Sequence, residues 1–175
     1  MIDGLVADLS VILQAQATVI DSSQFTYGEL ADHNLKHIEG LAIRYGVKRL
    51  DIVADTYHSH SFKETRGCEA RVLFEENEKL PDNLPAFLQN DENKICFNVI
   101  IAQHASNPLF WTCDADIVIA RDSKVWTKSD GPKESVPWVN HLHEEADNRM
   151  IAHIADIMRG DMEIKTICVQ CKNSR

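Results

Sequence analysis

No run of about 18 consecutive apolar residues occurs in the chain, so a bilayer-crossing helix is not expected. The start, Met1-Ile2-Asp3-Gly4, lacks the basic residues and the small-residue cleavage site of a secretory leader. Together these absences lead to the expectation of an intracellular protein with no membrane attachment. Positive charge is scarce: 18 Lys and Arg stand against 27 Asp and Glu, for a formal net charge of −9. That balance excludes a broadly basic surface that coats duplex nucleic acid, because such affinity comes from Lys and Arg displacing counterions. It does not exclude an enzyme that meets phosphate through divalent ions held by carboxylates. The five cysteines (Cys68, Cys96, Cys113, Cys168, Cys171) are odd in number and scattered, which argues for reduced thiols. Cys168-Val169-Gln170-Cys171 is a lone pair without the second half of a zinc site. There is no Gly-x-Ser-x-Gly, Gly28, Gly40 and Gly46 form no phosphate-cradling loop, and no internal repeat or low-complexity segment is visible.

What is present suits a single α/β domain spanning residues 1–175, long enough to bury a sizeable core. Thr26-Tyr27-Gly28-Glu29 has the capping-box pattern that starts a helix. Leu30, Ile38, Leu41, Ala42 and Tyr45 recur near helical spacing, and Gly46 supplies a left-handed stop. Leu50-Asp51-Ile52-Val53-Ala54 follows as a buried-strand run ending at Asp55. A short helix is expected at residues 85–88 and a longer one at 93–104. Strands are expected at 109–112, 117–120 and 124–126, and a turn at Ser129-Asp130-Gly131-Pro132. Residues 143–159 carry Met150, Ile151, Ile154 and Ile157 at helical spacing before Gly160, and a final strand is expected at 164–169. Helices and strands that alternate in this way predict a three-layer sandwich with a mostly parallel central sheet.

Acids gather at two points of this pattern. His143-Glu144-Glu145-Ala146-Asp147 crowds carboxylates into the start of a helix, which by itself is explained by the helix dipole at about 0.3–1 kcal/mol per acid. Asp55, however, stands where a parallel strand presents its carboxyl end, the edge at which open α/β sheets build their sites. Two acid groups on one edge suggest a divalent metal.

The string Asp51-Ile52-Val53-Ala54-Asp55-Thr56-Tyr57, followed by Ser61-Phe62-Lys63 and Arg66, resembles the acid-ended strand and basic helix of flap-endonuclease-like proteins. His143-Glu144-Glu145-Ala146-Asp147-Asn148-Arg149 is similar to the acid-any-acid helix start of the PIN and flap-endonuclease superfamily. It is closer still to invertebrate PIN-like proteins in which this helix reads His-Glu-Glu-Ala-Asp-Thr-Arg. In that set a segment like Phe25-Thr26-Tyr27-Gly28-Glu29-Leu30-Ala31-Asp32 also precedes the first strand-acid unit. The resemblance runs in order along most of the chain and is loose over residues 68–142. It implies a metal-dependent nuclease acting on phosphodiester bonds of DNA or RNA with Mg²⁺ or Mn²⁺. Asp55, Glu145 and Asp147 would be metal-binding carboxylates, and Asp3 the acid at the end of the first strand. Asp8 is the substitute for Asp3 if residues 5–7 form that strand. Lys63, Arg66 and Arg71 would face the scissile phosphate, their alternative being a solvated mixed-charge face. No protein nucleophile is needed in such chemistry.

The sequence departs from the family in two places. Only Met1 and Ile2 precede Asp3, too few for a central strand, and Thr166-Ile167-Cys168-Val169-Gln170 runs into Cys171-Lys172-Asn173-Ser174-Arg175 where an Asp-Thr-Asp-type motif is expected. A domain truncated at both ends, with weak activity or none, is the resulting expectation. Two alternatives stay open. His58-Ser59-His60 and His141-Leu142-His143 can serve a zinc hydrolase, since alternate residues of a strand share a side. A non-catalytic PIN-like interaction module, with a protein partner or self-association, would suit the acidic surface, and Trp111, Trp126 and Trp138 would be either its contact face or core.

Overall fold

The computed structural model of the protein describes residues 3–54, 74–121, 124–128, 131–134, 146–159 and 166–170. Its first strand, β1 (Gly4–Asp8), is buried along its whole length and runs straight into helix α1 (Leu9–Ala17). Asp8 is both the last residue of β1 and the N-cap of α1, its carboxylate accepting from the Ser10 amide at 2.7 Å. Helix α2 (Tyr27–Tyr45) starts on the expected capping box: Thr26 Oγ1 accepts from the Glu29 amide and Glu29 accepts from the Thr26 amide. It stops at Gly46, whose φ of 60° is the left-handed conformation that a Cβ disfavours.

Strand β2 (Arg49–Val53) follows, then a short helix α3 (Leu84–Phe87) and helix α4 (Asp91–Ala105), whose first turn is capped by Asn90 accepting from the Glu92 and Asn93 amides. Strands β3 (Asp116–Arg121), β4 (Lys124–Thr127) and β5 (Gly131–Glu134), helix α5 (Ala146–Arg159) and strand β6 (Ile167–Gln170) complete the described elements. They form one sheet in the order β5-β4-β3-β2-β1-β6. The four strands β3-β2-β1-β6 are parallel, and β4 and β5 extend the sheet antiparallel.

Alternation along the strands divides the core. Leu5, Ala7, Leu50, Ile52, Ile117 and Ile119 face the layer containing α1, α2 and α4. Val6 and Val53 face the other way, against Met150 and Ile157 of α5. The protein is therefore α/β with helices on both faces of a mostly parallel sheet. Helices α1, α2 and α4 lie on one face and α5 on the other, and the strand order reverses at β1, which has β2 on one side and β6 on the other.

Two expected elements are corrected. The apolar run 109–112 is not a strand: Pro108–Phe110 is a 3-10 turn opened by Asn107, whose side chain accepts from the Leu109 amide. Leu109 is 90% exposed there, while Trp111 turns inward and donates its indole N–H to the Ala105 carbonyl at 3.0 Å. Gly131 and Pro132, expected in a turn, belong to β5. A proline is tolerated in that strand because it is the edge of the sheet.

Candidate functional site

Asp8 of β1 lies opposite Val53 of β2, so the acid and the end of β2 reach the carboxyl edge side by side. Ala54, the next residue, is held there by its amide donating to the Ala120 carbonyl at 2.9 Å. The Asp8 residue is only 7% exposed, and it sits at the positive end of the α1 dipole, which favours its negative charge. On the other side β6 ends at Gln170, opposite Ala7. This is the point where strand order reverses, the crevice in which open α/β sheets bind ligands.

Helix α5 brings its amino end to the same edge. Its contacts with β2 run in opposite order along the two elements. Arg149 Nη1 donates to the Ala54 carbonyl at 2.5 Å, His153 Nδ1 pairs with Asp51 Oδ2 at 2.7 Å, and Arg49 Nη2 reaches Asp156 Oδ2 at 2.7 Å. The helix thus runs antiparallel to the strands, and position 147 lies in its first described turn, two residues before the Arg149 that reaches Ala54.

The contacts just named belong to a buried charge cluster between β2 and α5. Asp51 is fully buried, and its two oxygens accept from Arg49 Nε at 2.7 Å and Nη2 at 2.9 Å as well as facing His153. Burial pulls the Arg49 guanidinium down, but the hydrogen bonds and charges of Asp51 and Asp156 outweigh it and hold the group above its ordinary value. Arg49 is therefore a permanent cation here.

Asp3 requires a correction. It precedes β1 at the amino edge, away from the end of the first strand. There its carbonyl accepts from the Lys48 amide at 2.8 Å and its carboxylate accepts from the Thr166 amide at 3.2 Å, stapling together the starts of β1, β2 and β6. Asp8 is the acid that ends the first strand, and the apolar residues Leu5, Val6 and Ala7 before it fill a buried strand between β2 and β6. Asp147 is described through its place in α5. Asp55, Glu145, Lys63, Arg66, Arg71, His58, His60, His141, His143, Trp138 and Cys171 lie outside the described residues. Among the described residues no group of His, Cys, Asp and Glu side chains is arranged to hold a metal ion, and no helix is long and apolar enough to cross a membrane.

Sequence reasoning missed the cluster of Arg49, Asp51, His153 and Asp156. Its signal was present in Leu50-Asp51-Ile52-Val53, where a charge inside an apolar strand must find a partner. It also missed Glu39 of α2, whose Oε1 accepts from the Thr112 amide at 2.5 Å, the Thr112 hydroxyl at 3.0 Å and the Cys113 amide at 2.9 Å. Comparison of the chain with family models, with curated proteins and with solved structures returns no match.

Proposed function

We propose that the chain is a PIN-like, Mg²⁺- or Mn²⁺-dependent nuclease domain acting on DNA or RNA, with Asp8 in the role first expected of Asp3. What carries the proposal is the meeting of three chain segments at one edge: the end of β1 at Asp8, the end of β2 two residues before Asp55, and the amino end of α5 beside Asp147. Asp8, Asp55, Glu145 and Asp147 are all oxygen donors, the chemistry that hard divalent ions prefer. A bound ion would lower the pKa of a coordinated water and counter the charge of the phosphodiester. The chain's own part is to hold carboxylates ionised at the edge, with the α1 dipole favouring the charge at Asp8, and to offer Lys63, Arg66 and Arg71 to the phosphate.

The test is cleavage of labelled single-stranded and flapped DNA and RNA with Mn²⁺, Mg²⁺ or EDTA, with Asp8→Asn and Asp55→Asn as controls. Metal-dependent cleavage lost in both variants is expected; metal-independent cleavage, or cleavage that survives either substitution, contradicts the proposal.

A non-catalytic interaction module is the second reading. One observation favours it: the outward side of α5 carries Ile151 and Met158, 65% and 70% exposed and a helical repeat apart. Complete absence of cleavage with metal present would support it.

A further inference from the structure

The apolar contact of α5 with the sheet does not fix where the helix sits along its own axis. Met150, Ile154 and Ile157 meet Val6, Val53 and Ile167. Two of these three places are refilled by apolar residues when the helix slides by one turn, about 5.4 Å, the third falling to Gly160 or Asp161. Ile154 would then take the place of Met150, and Met158 or Ile157 that of Ile154. One-turn slips of this kind occur where packed elements have two comparable registers.

The polar contacts lack that degeneracy. Positions 149, 153 and 156 form a second stripe on α5, and each meets a different group on β2 or just after it: the carbonyl of Ala54, the carboxylate of Asp51 and, through Asp156, the guanidinium of Arg49. A slip one way would set Glu145 against the Ala54 carbonyl, acceptor against acceptor. A slip the other way would set Ile157 against the fully buried Asp51 carboxylate.

The cluster is also a poor choice for stability alone. Buried ion pairs recover little beyond the cost of removing them from water, and His153 Nε2 is buried with no hydrogen-bond partner among the described residues. An apolar side chain at 153 would avoid that loss.

We infer that Arg49, Asp51, Arg149, His153 and Asp156 pin the register of α5 on β2 and so act as positioning residues for the acids at the amino end of the helix. The second half of the inference rests on the nuclease proposal; the first does not. A displacement of about 5.4 Å at position 147 exceeds the whole metal–oxygen distance of about 2.0–2.6 Å, so a slipped helix could not supply the same ligands.

The test replaces the network as a unit, with Arg49→Met, Asp51→Leu, Arg149→Met, His153→Leu and Asp156→Leu in one chain. Its methyl NMR spectrum should show two registers, with contacts to Val53 from Ile154 as well as from Met150. The paired substitution Arg149→Met with His153→Leu should show the same second set at lower population, and Arg149→Lys with His153→Gln, which keeps donors toward Ala54 and Asp51, a single set. Mn²⁺ affinity of the fivefold variant should fall at least about tenfold, the loss usual when groups that orient metal ligands are removed. One native register in both the fivefold variant and the Arg149→Met, His153→Leu pair overturns the pin; if the fivefold variant fails to fold, the pair decides by the same spectrum. Two registers with unchanged Mn²⁺ affinity would uphold the pin and count against the proposed metal site.

Discussion

Arg149, only 1% exposed in the first described turn of α5, donates to the carbonyl of Ala54 at 2.5 Å and so ties the helix to the residue that follows β2 and precedes Asp55. A guanidinium buried to this degree is held by charge-assisted hydrogen bonds, each worth about 1.5–3 kcal/mol, and its loss leaves a buried acceptor unsatisfied. Arg149→Met should therefore lower the unfolding free energy by at least about 2 kcal/mol in urea titration. An unchanged midpoint would show that the contact contributes nothing to the seating of α5.

Glu39 holds the 112–113 backbone from the side of α2. Burial pushes its carboxyl up, but the hydrogen bonds from the Thr112 and Cys113 amides and the Thr112 hydroxyl outweigh it and leave the group below its ordinary 4.5. A depressed folded value contributes stability that is present above 4.5 and is lost as pH falls through the folded value. Glu39→Gln should cost about 1–2 kcal/mol at neutral pH and progressively less as the pH falls through the folded value. A cost that stays constant across that range would remove ionisation from the explanation.

His104 of α4 is clasped on both sides: Nδ1 meets Asp32 Oδ1 at 2.7 Å and Nε2 meets Glu76 Oε2 at 3.2 Å. Burial lowers its pKa, but the two hydrogen bonds and charges outweigh burial and set it above 6.5, because only the imidazolium donates from both nitrogens. The stabilisation is fully present below 6.5 and is lost as pH rises through the higher folded value. The fall in thermal midpoint from about pH 6 to pH 8 should be shallower in His104→Gln than in the parent. Parallel profiles for the two proteins would show that the clasp is not titrating.

The parts of this fold that were legible in the sequence have strong local punctuation. The Thr26 capping box and Gly46 bound α2 at both ends, and the apolar periodicity from Met150 to Ile157 found the buried side of α5. Strand β1 was harder to see because both its faces are buried. Leu5, Val6 and Ala7 then show no alternation, and the apolar residues continue into α1 without a glycine or proline between. The cue was Asp8 followed by Ser10, a cap that separates strand from helix at the very residue that carries the candidate charge. The 109–112 run misled because apolar content alone cannot distinguish a strand from a turn whose residues point in different directions, and Pro108 was the deciding residue. The resemblance of the α5 motif pointed to acids at this helix start, but the buried network beneath it pairs residues more than 100 apart in sequence, which no local pattern displays.

The central claim, that one metal site spans the ends of β1 and β2 and the start of α5, is tested most directly by Mn²⁺ titration calorimetry on the parent protein, Asp8→Asn and Asp3→Asn. Asparagine caps a helix as well as aspartate does, so Asp8→Asn should keep α1 and the fold while removing the charge. The predicted result is Mn²⁺ binding by the parent and by Asp3→Asn with equal affinity, and affinity at least about tenfold weaker in Asp8→Asn. Mn²⁺ binding that is untouched by Asp8→Asn, or that fails in Asp3→Asn instead, would contradict the account.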